Sequence, residues 1–193
     1  MISRETMSAT RLLVLGVVRM HGRAHGYMVR SELLSWGADE WAHIKFGSIY
    51  HALRQLAKDG LLKSTDIPDW PGRVDYELTP PGEEEFYRLL RDALRQGNNR
   101  PDMLGAALVL LPALSREEAI ALLRERIASL SAEQGELVAR VDETAGERPQ
   151  RAHIRELLGL WEHSAASQAH WTEALIERLE AGAYVMAGDE KDA

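Results

Sequence analysis

The chain is 193 residues long, 45% hydrophobic and 27% charged, with a formal net charge of −7 and no cysteine. That length is enough to bury a core in one domain or two small ones, and the lack of cysteine excludes a disulfide framework and thiolate metal sites. The longest apolar run, Leu104–Leu114, is too short to cross a bilayer, and the N-terminus lacks the regions of a secretory signal; the expectation is a cytoplasmic protein with no membrane partner.

In chain order, a first helix is predicted from about Ser8 to Met20, capped by Ser8 and apolar nearly all round through Leu12–Leu15, Val17 and Val18. Gly22 and Gly26-Tyr27 mark a turn. A second helix over about Tyr27–Trp36 buries some of Met28, Leu33 and Leu34, and Gly37 ends it. The third is predicted to begin near Ser48, which can cap its first turn. Ile49, Leu53 and Leu56 recur at the i, i+4, i+7 spacing of a buried stripe, and Gly60 stops the helix. The period then changes to two. Val74, Tyr76 and Leu78 alternate with Arg73, Asp75 and Glu77, as in a half-buried strand. Leu61–Ile67 is its partner strand, and residues 68–72 form the loop. Thr79 then caps a helix with Pro80 at its first position.

Gln96–Pro101 is the best domain boundary, giving domains over 1–97 and 98–193. The second half reads as helix throughout. Ser115 and Glu118 form a capping box. Ile120, Leu123, Ile127, Leu130, Leu137 and Val141 then fall in a heptad seam, with Gln134 at one seam position. Thr144–Pro149 breaks this helix, and a last one covers roughly Gln150–Gly182. Charge divides along the same line. Residues 1–80 hold 10 Lys+Arg against 9 Asp+Glu, while the remaining residues hold 13 against 21. The acidity that argues against a nucleic-acid partner therefore belongs to the second half, and the first is free to meet phosphates locally.

Three helices followed by a hairpin is the layout of a winged helix-turn-helix. The fold expected is mainly α, with a winged helix-turn-helix domain of three helices and a two-stranded wing, then an α-helical dimerisation domain. The third helix offers a polar face of Tyr50, His51, Arg54, Gln55 and Lys58. In that position Lys45, Ser48 and Tyr50 bind phosphate, and His51, Arg54 and Gln55 reach base edges, Arg preferring guanine and Gln adenine. Tyr50 has the alternative of packing its ring on the core. Arg73 either enters the minor groove or solvates a turn.

The segments HGYMVRSELL, GSIYHALRQLAKDGLL and GRVDYELTPPG resemble the PadR family of bacterial transcriptional regulators. The matching pieces are Gly26-Tyr27, Ser48-Ile49-Tyr50, Gly60-Leu61-Leu62 and Tyr76-Glu77-Leu78-Thr79 followed by Gly82. The resemblance covers about residues 9–95. It implies double-stranded DNA as partner, action as a repressor and a homodimer built through the C-terminal helices. The wing departs from the family pattern, because Gly72-Arg73 is followed by Val74-Asp75 where further cations are usual; Asp75 near phosphates would repel them.

Trp161 and Trp171, about 15 Å apart along the last helix, bracket a thin face that includes Ser164 and Gln168. They either fill a dimer core or line a cavity for a small, flat aromatic effector. The pairs His21/His25 and His163/His170 lack a third ligand at zinc spacing, and no nucleophile elbow, phosphate loop or HExxH motif occurs. Neither metal, cofactor nor enzymatic activity is expected. The alternative function is a winged-helix protein-interaction module without effector or specific DNA binding.

Overall fold

A computed structural model describes residues 8–97, 100–143 and 154–189. It is mainly helical, with one small antiparallel sheet, and the chain divides into two compact units.

The first unit runs up to Ala93 and also takes in Arg100–Leu111. Helix α1 (Ala9–His21) starts as its sequence predicts: the Ser8 hydroxyl accepts from the Arg11 amide at 3.1 Å, and Gly22 ends the helix at φ +68°. Its apolar girdle is enclosed, with Leu12, Leu13, Val14, Leu15, Val17 and Val18 all buried. A helix buried on every side is a centre around which others pack, and α1 touches α2 (Gly26–Ser35), α4 (Phe46–Lys58), β3 (Val74–Leu78) and α6 (Pro101–Val109). The break at 97/98 expected from composition placed this last helix in the second half, whereas α6 packs on α1. Leu110, just past its end, lies so close to Gly16 that a Cβ there would come within 2.5 Å of it.

Two short elements lie between the predicted ones. Strand β1 (Ala24–His25) pairs antiparallel with β3, so the sheet order is β1-β3-β2 with β2 at Leu62–Asp66. Helix α3 (Ala38–Trp41) follows Gly37, whose φ of +64° turns the chain. A two-residue strand and a four-residue helix are too short to show any hydrophobic period. Helix α2 buries Val29 and Leu33, while Leu34 stays at the surface; its amide end is capped by the His25 ring, whose Nδ1 accepts from Met28 at 3.2 Å.

Helix α4 begins at Phe46, two residues ahead of the predicted start, with Lys45 as a cap that makes no side-chain bond. Ser48 therefore sits inside the first turn and does not cap it; its amide bonds the Lys45 carbonyl at 2.9 Å. The buried stripe is as predicted: Ile49, Leu53 and Leu56. Strands β2 and β3 pair with Ser64 opposite Tyr76. Thr79 then opens α5 (Pro80–Arg95), accepting from the Gly82 amide at 3.2 Å and donating to the Gly60 carbonyl at 2.7 Å.

The second unit comprises Leu94–Asn99 and the chain from Pro112 onward. Its body is α7 (Arg116–Glu143) packed on α8 (Ile154–Glu180). The two run antiparallel: Arg116, at the start of α7, donates to the Leu179 carbonyl in the last turn of α8 and to those of Ala183 and Tyr184 just beyond it. Ser115 caps α7 through the Glu118 amide at 3.2 Å. The expected seam is rotated. Ala119, Leu122, Leu123, Arg126 and Leu130 are buried, whereas Ile120 and Ile127 are only partly covered. The side chains of Leu137, Val141 and Ile154, and the predicted break at Thr144–Pro149, lie outside the described residues.

Candidate nucleic-acid interface

Helix α4 turns the Ile49–Leu53–Leu56 stripe inward, so the positions opposite it, Gly47, His51, Arg54 and Lys58, recur at i, i+4, i+7 and i+11 on its outer side. All four are exposed. His51 and Lys58 stand along the middle of this face. Arg54 and Tyr50 lean toward the hairpin, where both line a cleft of about 650 Å³ closed on its other side by Trp70, Pro71, Gly72, Arg73 and Val74. Ser48 and His51 instead border a shallower hollow beside Ser8 and Thr10. The predicted polar face thus has two flanks, one toward the wing and one toward the start of α1.

The Tyr50 ring packs against Gly26, so close that a Cβ at that position would overlap ring carbons, and the residue is still 39% exposed. Gly26 matters because only hydrogen fits beneath that ring. Gln55 is engaged with its own helix, donating to Asp59 at 2.8 Å, and Asp59 also accepts from Arg11 at 3.1 Å. Lys45 and Ser48 are exposed at the start of α4.

The wing differs most from expectation. Strict alternation would put Asp75 in solvent, but it is 4% exposed. β3 is the central strand of the sheet, and His25 of β1 stands opposite Asp75. The carboxylate is held by Arg73 through two bonds of 2.9 and 3.3 Å, with Arg23 at 3.8 Å. The Arg73 hydrogen bonds, opposed by burial and aided by the charges of Arg73, Arg23 and His25, hold the Asp75 carboxyl below its ordinary range. Asp75 is therefore an internal counter-ion and not a repulsive group facing outward. Arg73 is correspondingly committed: besides Asp75 it lies 5.8 Å from the centre of the Trp70 ring.

Sorting the cations by partner explains how a unit so close to neutral can present a positive face. Arg11, Arg19, Arg23 and Arg73 each pair with a carboxylate: Asp59, Glu83, Glu77 and Asp75 respectively. Among the described residues, Lys45, Arg54, Lys58 and Lys63 form no ion pair. The first three stand at or on α4 and the last on β2. Arg30 joins them, stacked 3.8 Å from the centre of the ring of Phe46, the first residue of α4.

Residues 14–88 match the family profile described as the transcriptional regulator PadR-like family. This segment is a PadR-like transcriptional regulator domain. Similar solved structures include Bacillus subtilis PadR in complex with operator DNA, 22% identical, covering 88% of this chain and 98% of that one with a TM-score of 0.36. Others are the PadR-like transcriptional regulator BC1756 from Bacillus cereus (23% identical, 90% and 99% covered, TM-score 0.37) and Bacillus subtilis PadR in complex with p-coumaric acid (21%, 89% and 99%, 0.36). No curated protein matches the chain.

Two features of the PadR-like domain escaped sequence reasoning. Trp70, at the tip of the wing, is 65% exposed; the signal available was an aromatic set between Pro68 and Pro71 in the turn. Tyr27, also exposed, lines the same cleft. In the second unit, Trp161 and Trp171 are both part-exposed on α8. Between them Gln168 accepts from Arg126 at 2.7 Å and its amide reaches the exposed Ser164 hydroxyl at 3.4 Å. Arg126 itself is 1% exposed, donates also to the Gln96 carbonyl, and its Nε finds no acceptor. No group of three or more potential metal ligands occurs among the described residues, and no helix among them is long and apolar enough to cross a membrane.

Proposed function

We propose that the chain is a sequence-specific DNA-binding transcriptional regulator, acting as a homodimeric repressor at an approximately palindromic operator. The observation that carries this reading is the sorting of cations. Arg11, Arg19, Arg23 and Arg73 are each matched by a carboxylate of the first unit, whereas Lys45, Arg54 and Lys58 at or on α4 and Lys63 on β2 form no ion pair among the described residues, and Arg30 lies against the first turn of α4. Charge placed that way attracts phosphate to one face without a basic overall composition. Lys45, Ser48, Tyr50 and Lys58 take backbone positions on either flank. His51, with Gln55 beside it, faces the groove floor, and Arg54 stands at the edge of that face toward the hairpin; Gln55 exchanges its exposed bond to Asp59 for an adenine edge at little cost.

Dimerisation is supported by the second unit, where Leu157, Leu160, Trp161 and Trp171 leave an apolar strip of α8 exposed. The same strip is where a small aromatic effector would act, by favouring one spacing of the two recognition helices over another. Quenching of tryptophan fluorescence together with a shift in operator affinity is the signature of such a compound.

Selection of bound duplex from a random pool, followed by affinity measurements at several salt concentrations, tests the function. The expected product is a near-palindrome with half-sites about 34 Å apart, bound more weakly as salt rises. Equal binding of every duplex with no salt dependence would leave the protein-interaction module as the better reading.

A further inference from the structure

The cleft between α4 and the hairpin has walls of different chemistry. On the helix side stands Arg54, which forms no ion pair among the described residues. On the wing side stands Trp70, a large aromatic left in solvent on a turn that is rigidly built. The Ile67 amide donates to the Arg73 carbonyl, Trp70 to Ile67 and Arg73 to Trp70, all at 3.0 Å, and Gly72 reverses the chain at φ +85°. The one cation of this turn, Arg73, is tied to the buried Asp75. The wing tip therefore has an exposed ring to offer and no uncommitted cation, while the exposed Asp69 beside Trp70 adds a negative charge that turns phosphate away from the tip itself.

We infer that this cleft receives one sugar–phosphate strand of duplex DNA, with the Trp70 indole laid against deoxyribose and the Arg54 guanidinium on a phosphate, so that the wing contact is aromatic and not ionic. The assignment rests on the DNA-binding reading above. A backbone strand alternates anionic phosphate with the apolar carbon face of the sugar, and a cleft with one free cation opposite one exposed ring matches that alternation. Arg73, neutralised in place, orients the ring from beneath. Arg54 on this view holds register and does not read a base.

The two kinds of contact differ in their salt dependence, because only a cation meeting phosphate releases a counterion. On the selected duplex, Trp70→Ala is expected to weaken binding roughly tenfold on matched and mismatched sequences alike. The slope of log affinity against log salt stays at the wild-type value, and Trp70→Phe recovers most of the loss. Arg54→Ala is expected to weaken binding uniformly across sequences and to lower the slope by about 0.9. Oxidative labelling of the intact wild-type chain gives a readout independent of any variant: Trp70 should be protected by bound duplex. Specific wild-type binding that Trp70→Ala leaves unchanged, or a Trp70 equally labelled with and without DNA, overturns this assignment alone. An Arg54→Ala loss confined to one base-pair position overturns its phosphate role. A wild-type chain that binds all duplexes equally and without salt dependence overturns the DNA reading, and this assignment with it.

Discussion

At the scale of single residues, Asp75 shows how a charge that reads as a liability in sequence becomes a structural part. Buried at the centre of the small sheet and bonded by Arg73, it holds the wing turn to the strand. Its carboxyl titrates below the ordinary range in the folded protein, chiefly through those Arg73 bonds. The stabilisation it provides is therefore complete above the unfolded value of about 3.9 and is lost as pH falls through the folded one. Asp75→Asn is expected to lower stability by on the order of 1 kcal/mol near neutral pH, since it exchanges a charged acceptor for a neutral one beside two guanidinium groups. The difference from wild type should shrink as pH is taken below about 4. Urea unfolding of both proteins across that range checks this, and a constant difference would show that the Asp75 charge is not what matters. The substitution also releases Arg73, so the variant should gain affinity for non-specific duplex at low salt.

At the scale of elements, hydrophobic period was a good guide wherever an element was long and had one clear inner face. The Ile49–Leu53–Leu56 stripe of α4 and the enclosed girdle of α1 could be read directly. What escaped was set by tertiary neighbours. β1 carries no period in two residues, yet its pairing with β3 is what buries Asp75. On α7 the buried face includes a charged residue, Arg126, at a position that no apolar pattern would give it, with Gln96 and Gln168 as acceptors. In the candidate site the α4 face was legible, whereas the commitment of Arg73 and the exposure of Trp70 depend on contacts across the sheet and turn. Gly82 shows the same dependence on packing. A Cβ there would overlap the Leu61 carbonyl oxygen, which already accepts from the Thr79 amide at 3.1 Å. Gly82→Ala should gain up to about 1 kcal/mol of helix propensity but lose about 1–3 kcal/mol to overpacking, because the obstructing atom is backbone and cannot swing aside. A lower thermal midpoint is the expected result. Gly47→Ala is the control: nothing lies within 4 Å of its Cβ position, so the same change on α4 should leave stability equal or higher.

At the scale of the whole molecule, DNA binding and dimerisation should respond to salt in opposite directions. Residues 81–193 carry a net charge of −8, so two copies joining through this half bring like charges together. With a Debye length of about 8 Å at physiological ionic strength, much of that repulsion is screened, and what drives association is burial of apolar surface at roughly 25 cal/mol per Å². On α8 the surface proposed for this association is Leu157, Leu160, Trp161 and Trp171, with Leu160 the more exposed of the two leucines at 64%. Added salt should thus tighten the dimer while loosening its hold on DNA, and the optimum for operator binding lies between the two. Leu160→Glu places a further charge on the strip without touching a buried residue. It should shift sedimentation toward the monomer and weaken binding to a two-half-site duplex by far more than to a single half-site, with helix content unchanged. A variant that remains dimeric at micromolar concentration and binds both duplexes as wild type does would place the dimer surface elsewhere on the second unit.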